Sequence, residues 1–176
     1  MSTTPKYTRT AMALHWVVAV LVFSLFGIGW FMVDLPQGPA RGEYFALHKS
    51  LGLSVLVLLV LRFGWRLRHR PPPLPQTLPA WQRFLAGLVH RAFYVALAVQ
   101  PLSGYLSSSF SGYSTRWFGV PLPQWGWKDA WLNELFTEIH VVCSIVIVVL
   151  VLTHVLGVLS HLLQGEGGLL RRMLPW

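Results

Sequence analysis

The stretch 139-IHVVCSIVIVVLVLTHVLGVLSHLLQG-165 decides how this chain reads: 27 residues without an Asp, Glu, Lys or Arg, yet with His140, His154 and His161 among them. About 20 apolar residues cross a bilayer core, so the run is long enough to span it as a helix. At about 100° per residue, the 14 steps from His140 to His154 stop only about 40° short of four full turns, so both rings share one face. They stand ~21 Å apart along the axis, one near each side of a ~30 Å hydrocarbon slab. His161, about two turns further on, extends the same stripe. One intramembrane histidine has a plain structural reading, a hydrogen bond to the next helix. Two at different depths on one face read instead as halves of two axial pairs for planar cofactors held between helices.

The composition agrees with a membrane protein. Of 176 residues, 54% are hydrophobic and only 11% charged, which is not the make-up of an ordinary soluble domain. The net charge of +8 sits mostly in segments flanking apolar runs, the pattern of membrane orientation rather than of nucleic-acid binding. The single cysteine, Cys143, excludes an internal disulfide and any covalent C-x-x-C-H haem attachment, and reads as a small apolar filler. Lys6 and Arg9 ahead of an apolar run look superficially like a signal peptide. The uncharged run 10–33 is 24 residues long and ends in no small-x-small site, so a retained first span is expected.

Four spans are expected, at about 11–33, 44–66, 85–107 and 135–163, which makes the chain one domain, an all-α membrane protein folded as a four-transmembrane-helix bundle. In the second span Lys49 must snorkel or pair and Arg62 must sit near the interface where the span ends, and Pro101 is expected to kink the third. The connector 68–83, with Pro71, Pro72, Pro73, Pro75 and Pro79, reads as a stiff extended linker in which His69 is solvated. The connector 108–134, with Trp117, Trp125, Trp127 and Trp131, reads as a lid in the headgroup zone of the lipid. Ten of the fourteen Lys and Arg residues fall on the N-tail, the second loop with its flanks and the C-tail, so both termini are expected in the cytoplasm.

That topology sets depth. His15 and His154 fall at the inner level, His48 and His140 at the outer one. Two bis-histidine sites stacked across the membrane suit two non-covalent haem groups with both axial positions filled, an arrangement for electron transfer. Other residues fit around them. Ser50 and Gly52, just after His48, are small enough to let a flat ring near the backbone. Arg9, Arg62 and Arg91 are inner candidates for haem propionates, and Lys49 and Arg116 outer ones. His90, at the cytoplasmic entry of the third span, has no level-matched partner left and reads either as a propionate or hydrogen-bond partner or as an interfacial residue. His161 lies where a membrane quinone would approach and need protons on reduction, although a helix-end histidine held by terminal carbonyls has the same spacing.

Tyr7-Thr8-Arg9 followed by Leu14-His15-Trp16, then His48-Lys49-Ser50-Leu51-Gly52, Arg62, the proline run, Pro101-Leu102-Ser103-Gly104, Trp117-Phe118-Gly119, and His140 and His154 fourteen apart resemble the prokaryotic cytochrome b561 family. The resemblance covers nearly the whole chain. It implies a bacterial inner-membrane bundle with two b-type haems that exchanges electrons with ubiquinone. In some relatives it implies oxidation of superoxide on the periplasmic side, with His161 similar to their quinone-side histidine. Lys49, Arg116 and Lys128 would then form a positive outer mouth for a small anion. Two rivals stand beside this reading. One is a haem-bearing membrane anchor for a dehydrogenase or hydrogenase partner. The other is a small transporter using histidines as proton or metal relays, against which the lack of intramembrane carboxylates counts.

Overall fold

The computed structural model describes residues 6–165 and 167–174. Four long helices, α1 (Arg9–Asp34), α2 (Pro39–Arg68), α3 (Ala80–Phe110) and α4 (Ala130–Leu163), are each apolar and long enough to cross a membrane. A short helix, α5 (Gly168–Arg171), follows. Every helix starts before its expected span, because capping chemistry lies upstream of the apolar run. Thr8 caps α1 by accepting from the Ala11 amide (3.3 Å), and Asp129 caps α4 through the Leu132 amide (3.0 Å). Pro39 opens α2, where its missing N–H costs nothing. Helix α3 continues through Pro101, which withholds one amide from the helical ladder.

The helices form an open arrangement with a slot. α1 lies along α2, α2 meets α3, and α3 runs along α4. Among the described residues, no Cα of α4 comes within 8 Å of α1 or α2. Packed helices ordinarily lie 8–10 Å apart axis to axis, so this separation leaves room between α4 and the α1–α2 pair. At mid-height the slot is filled by side chains, where Val18, Val22, Val55, Ala96, Cys143 and Ile147 form the buried core. Cys143 is part of that layer, its thiol directed at the Ala96 carbonyl (3.4 Å).

The first and last described segments of the chain meet at one end of the bundle. The Tyr7 amide donates to the Arg172 carbonyl (3.2 Å), and the Trp16 indole N–H donates to the Met173 carbonyl (2.8 Å). Arg172 is only 6% exposed and donates through Nη1 to the carbonyl of Pro73 (2.7 Å). The proline connector is therefore more than a spacer: the C-terminal segment is strapped across it. We call this the near end of the bundle and the opposite one the far end.

At the far end, the tryptophan-rich connector departs from the simple lid expected. It carries a minimal hairpin, β1 (Arg116–Trp117) paired antiparallel with β2 (Val120–Pro121), turning at Phe118 and Gly119 with φ of 46° and 89°. Two consecutive positive φ values suit a two-residue hairpin turn, and glycine relieves the second. Ser50 clasps this hairpin. Its hydroxyl shares its proton between the Ala46 carbonyl of its own helix (2.8 Å) and the Arg116 carbonyl (3.3 Å) and accepts from the Phe118 amide (3.0 Å), while the Trp117 indole donates to Ser54 (3.1 Å). Ser50 and Ser54 lie about 200° and 240° round α2 from His48. The hairpin thus sits on the flank of α2 turned away from His48. Trp125, Trp127 and Trp131 remain exposed, as aromatic side chains of a membrane boundary do.

Candidate cofactor site

Four histidines from three helices meet in two pairs within the slot. Near the near end, His15 of α1 faces His154 of α4 with ring centroids 6.3 Å apart. Near the far end, His48 of α2 faces His140 of α4 at 6.2 Å. A metal–imidazole bond is about 2 Å long and a ring centroid lies roughly 1 Å behind its nitrogen, so two imidazoles on opposite sides of one iron have centroids ~6 Å apart. Both pairs have that spacing, with ring planes 68° and 71° apart.

The far pair carries the marks of an oriented metal ligand. His140 donates from Nδ1 to the Gln100 carbonyl (2.8 Å), which fixes its tautomer and leaves Nε2 as the lone-pair nitrogen, here accepting from the Gln100 side-chain amide (3.1 Å), which an iron would displace. Ser103 bonds the same carbonyl (2.9 Å). Two buried polar atoms here have no hydrogen-bond partner, Nδ1 of His48 and Oε1 of Gln100. Leaving such groups dry costs about 1–3 kcal/mol each, so the local chemistry is short of a ligand. Glycines also press on the rings: a Cβ at Gly104 would lie 3.0 Å from the His140 ring, and one at Gly29 would lie 3.3 Å from His48. The residues at both levels fit a haem clamped between imidazoles.

The near pair is walled by rings. Trp16 stands edge-on to His15 (5.2 Å), while His90 and Phe93 stand edge-on to His154 (5.5 and 5.9 Å). His90 is thus not simply interfacial. Because α3 runs along α4, position 90 arrives level with position 154, and its Nδ1 hydrogen-bonds the Ala86 carbonyl (2.6 Å).

The remaining sequence candidates separate clearly. Arg62 reaches across to the Ala11 carbonyl (3.0 Å) beside the near pair. Lys49 donates to Ser108 Oγ (2.7 Å), which also accepts from Thr115 (2.9 Å), so its ammonium is held in a polar cluster at the far end. Ser50 is occupied with the hairpin. Nothing stands within 4 Å of a Cβ built at Gly52, which is consistent with open space beside α2. Arg9, Arg91 and Arg116 are exposed, the first two towards the near end and the third on β1. His161 lies half-buried in the last turn of α4. His69, read as solvated, stacks on Trp65 at 3.9 Å with planes 9° apart.

A signal for the missed residues was present. The fourteen-residue step of α4 recurs on every helix: His15 to Gly29, His48 to Arg62, His90 to Gly104 and His140 to His154. Each step links the two levels along one face.

Level-matched imidazoles inside a transmembrane four-helix bundle define a class of protein, the membrane cytochromes that hold b-type haem without covalent attachment. Comparison with known proteins makes this more particular: the family model described as prokaryotic cytochrome b561 matches residues 6–176, and the chain belongs to that family. It is 33% identical to cytochrome b561 homolog 2 of Escherichia coli K12, over 98% of this chain and 93% of the relative. It is 30% identical to cytochrome b562 of Cereibacter sphaeroides, over 99% and 98% respectively. It is 26% identical to the probable superoxide oxidase CybB of Yersinia pestis, over 97% and 96%. Membership makes this a multi-pass bacterial inner-membrane protein that binds b-type haem and carries electrons across the membrane.

Proposed function

We propose that the chain holds two b haems, one between His48 and His140 and one between His15 and His154, and passes single electrons from a periplasmic donor to ubiquinone. The observation that carries this reading is the pair of centroid separations, 6.2 and 6.3 Å, at two levels of one slot. Bound haem supplies the one-electron chemistry. The protein's part is to fix the imidazoles, to keep water out with the layer around Ile147, and to manage protons where the quinone is reduced.

The near end faces the cytoplasm in this reading, supported by its ten Lys and Arg residues. His161, at the cytoplasmic end of the ligand-bearing helix, is the candidate proton donor to the quinone, which takes two electrons and two protons to become quinol. His90 borders the same end through its contact with His154. At the far end, superoxide is the donor suggested by the Yersinia relative's name. Two superoxide anions would each lose one electron and leave as dioxygen. Lys49, Lys128 and Arg116 supply positive charge that would draw such an anion to that end.

The test is a reduced-minus-oxidised spectrum of the purified protein with pyridine haemochrome quantitation. Two b haems per chain are expected. A single haem would remove the two-site reading, and none would leave the histidines to a proton or metal relay. Superoxide-dependent reduction of ubiquinone, lowered by His161→Ala with haem content kept, would connect the sites to the chemistry.

A further inference from the structure

Between the start of α1, the end of α2 and α3 lies a small open pocket, lined by Tyr7, Ala11, Arg62, Trp65, Arg66 and Tyr94 among others. Its charge is of one sign. Arg62 spends Nη1 on the Ala11 carbonyl, leaving the rest of its fork for another acceptor. The Arg66 guanidinium stands 6.0 Å over the Tyr94 ring. The Tyr94 hydroxyl is buried and has no hydrogen-bond partner. Trp65 forms a fixed wall, its indole N–H bonded to Thr8 Oγ1 (2.8 Å) at the cap of α1. That helix turns its positive end towards the same region. Every described Asp and Glu, namely Asp34, Glu43, Asp129, Glu134 and Glu138, belongs to the far end. Two guanidiniums and a dry phenol, with no carboxylate against them among the described residues, suit an oxyanion.

We propose that this pocket is an oxyanion site and that its occupant is a carboxylate of the haem held between His15 and His154, with Arg66 and Tyr94 as positioning residues. This rests on the two-haem reading. Ala11 lies one turn before His15 on the same side of α1, and Arg62 occupies the near level of α2, so the pocket continues the near site towards the membrane surface. The phosphate of a lipid headgroup offers the same oxygen chemistry, and the experiment separates the two sources.

Haem loss from the detergent-purified holoprotein to an apomyoglobin scavenger is followed for wild type, Arg66→Gln, Tyr94→Phe and Arg68→Gln, the last an exposed arginine outside the pocket. Retained or added phosphatidylglycerol is counted in parallel by native mass spectrometry. One of the two haems should leave about ten-fold faster from Arg66→Gln and several-fold faster from Tyr94→Phe, with Arg68→Gln unchanged. Phosphatidylglycerol binding weakened in both pocket variants with haem loss unaltered would keep the oxyanion site and overturn its carboxylate occupant. No change in either readout, or equal change in Arg68→Gln, would overturn the site. Tyr94→Phe removes a single unpartnered hydroxyl and keeps the test alive if Arg66→Gln fails to accumulate. Fewer than two haems in the wild type would count against the two-haem reading itself, whatever the variants did.

Discussion

The two histidine pairs have nearly the same spacing and opposite surroundings. At the far end, His140 is tied by Nδ1 to a backbone carbonyl, and Gly29 and Gly104 press on the two rings. At the near end, the walls are aromatic, with Trp16 on His15 and both His90 and Phe93 on His154. A carbonyl-bound imidazole is a more basic ligand, which favours oxidised iron. Under the two-haem reading proposed above, hydrogen-bonded orientation on one side and ring packing on the other would place the far site at the lower potential, the order that electron transfer from the far end to the near end requires.

The largest effects should come from removing a clamp. His48→Ala or His140→Ala is expected to lower haem content from two per chain to one and leave the near site's spectrum intact, while His15→Ala or His154→Ala should do the reverse. Haemochrome quantitation and low-temperature absorption bands read both. Loss of both haems from any one of these variants would show that the sites fold as a unit and break the comparison. Next in size is Gly104→Val. Its side chain would meet the His140 ring, already 3.0 Å from a bare Cβ, and overpacking of this kind costs about 1–3 kcal/mol. The far haem should bind weakly or be lost, as read by titration. Gly157→Val on α4, where nothing lies within 4 Å, is the control and should be tolerated.

How much of this was legible beforehand depended on whether one helix held the information. The level of each histidine followed from helical arithmetic and the count of spans, because a membrane fixes both the direction and the depth of every helix. The packing partners did not follow. His90 looked unpaired because only the contact of α3 with α4 brings it to His154. Ser50 looked like a small spacer beside His48, whereas its hydroxyl faces the other side of α2 and clasps a hairpin 66 residues away in sequence. Arg172 entered only the count of C-tail charges, and the structure buries it against Pro73. Hydrogen bonds from loops to helices leave no periodic trace, so periodicity could reveal the level-matched histidines and not the strapping around them.

That strapping gives two smaller predictions. Ser50→Ala removes the hydroxyl bonds to Arg116 and Phe118 and should cost about 1–2 kcal/mol of thermal stability, with the far haem's spectrum unaltered because the hairpin lies on the opposite flank. Trp16→Phe keeps a ring against His15 but loses the bond to Met173, so about 0.5–1.5 kcal/mol and a small shift confined to the near haem are expected. A shift of the far haem instead would contradict the independence of the two linings.

The smallest expected effect concerns how the donor arrives. Lys128 lays its stem along Gly112, within 3.4 Å of a Cβ built there, and Arg116 is exposed on β1, so both charges belong to the far surface rather than to the slot. Neither touches a histidine pair. Their contribution to a reaction with superoxide is therefore long-range attraction, which raises encounter rates and is screened by salt over about 10 Å at 0.1 M. Arg116→Ala and Lys128→Ala together should slow superoxide-driven haem reduction a few-fold at low ionic strength and leave it unchanged at high salt, as followed by pulse radiolysis. Haem content and both spectra should stay as in the wild type. A slowing that persists at high salt would mean that one of these side chains contacts the donor, and an unchanged rate at low salt would leave Lys49, half-buried next to His48 in the chain, as the cation that matters.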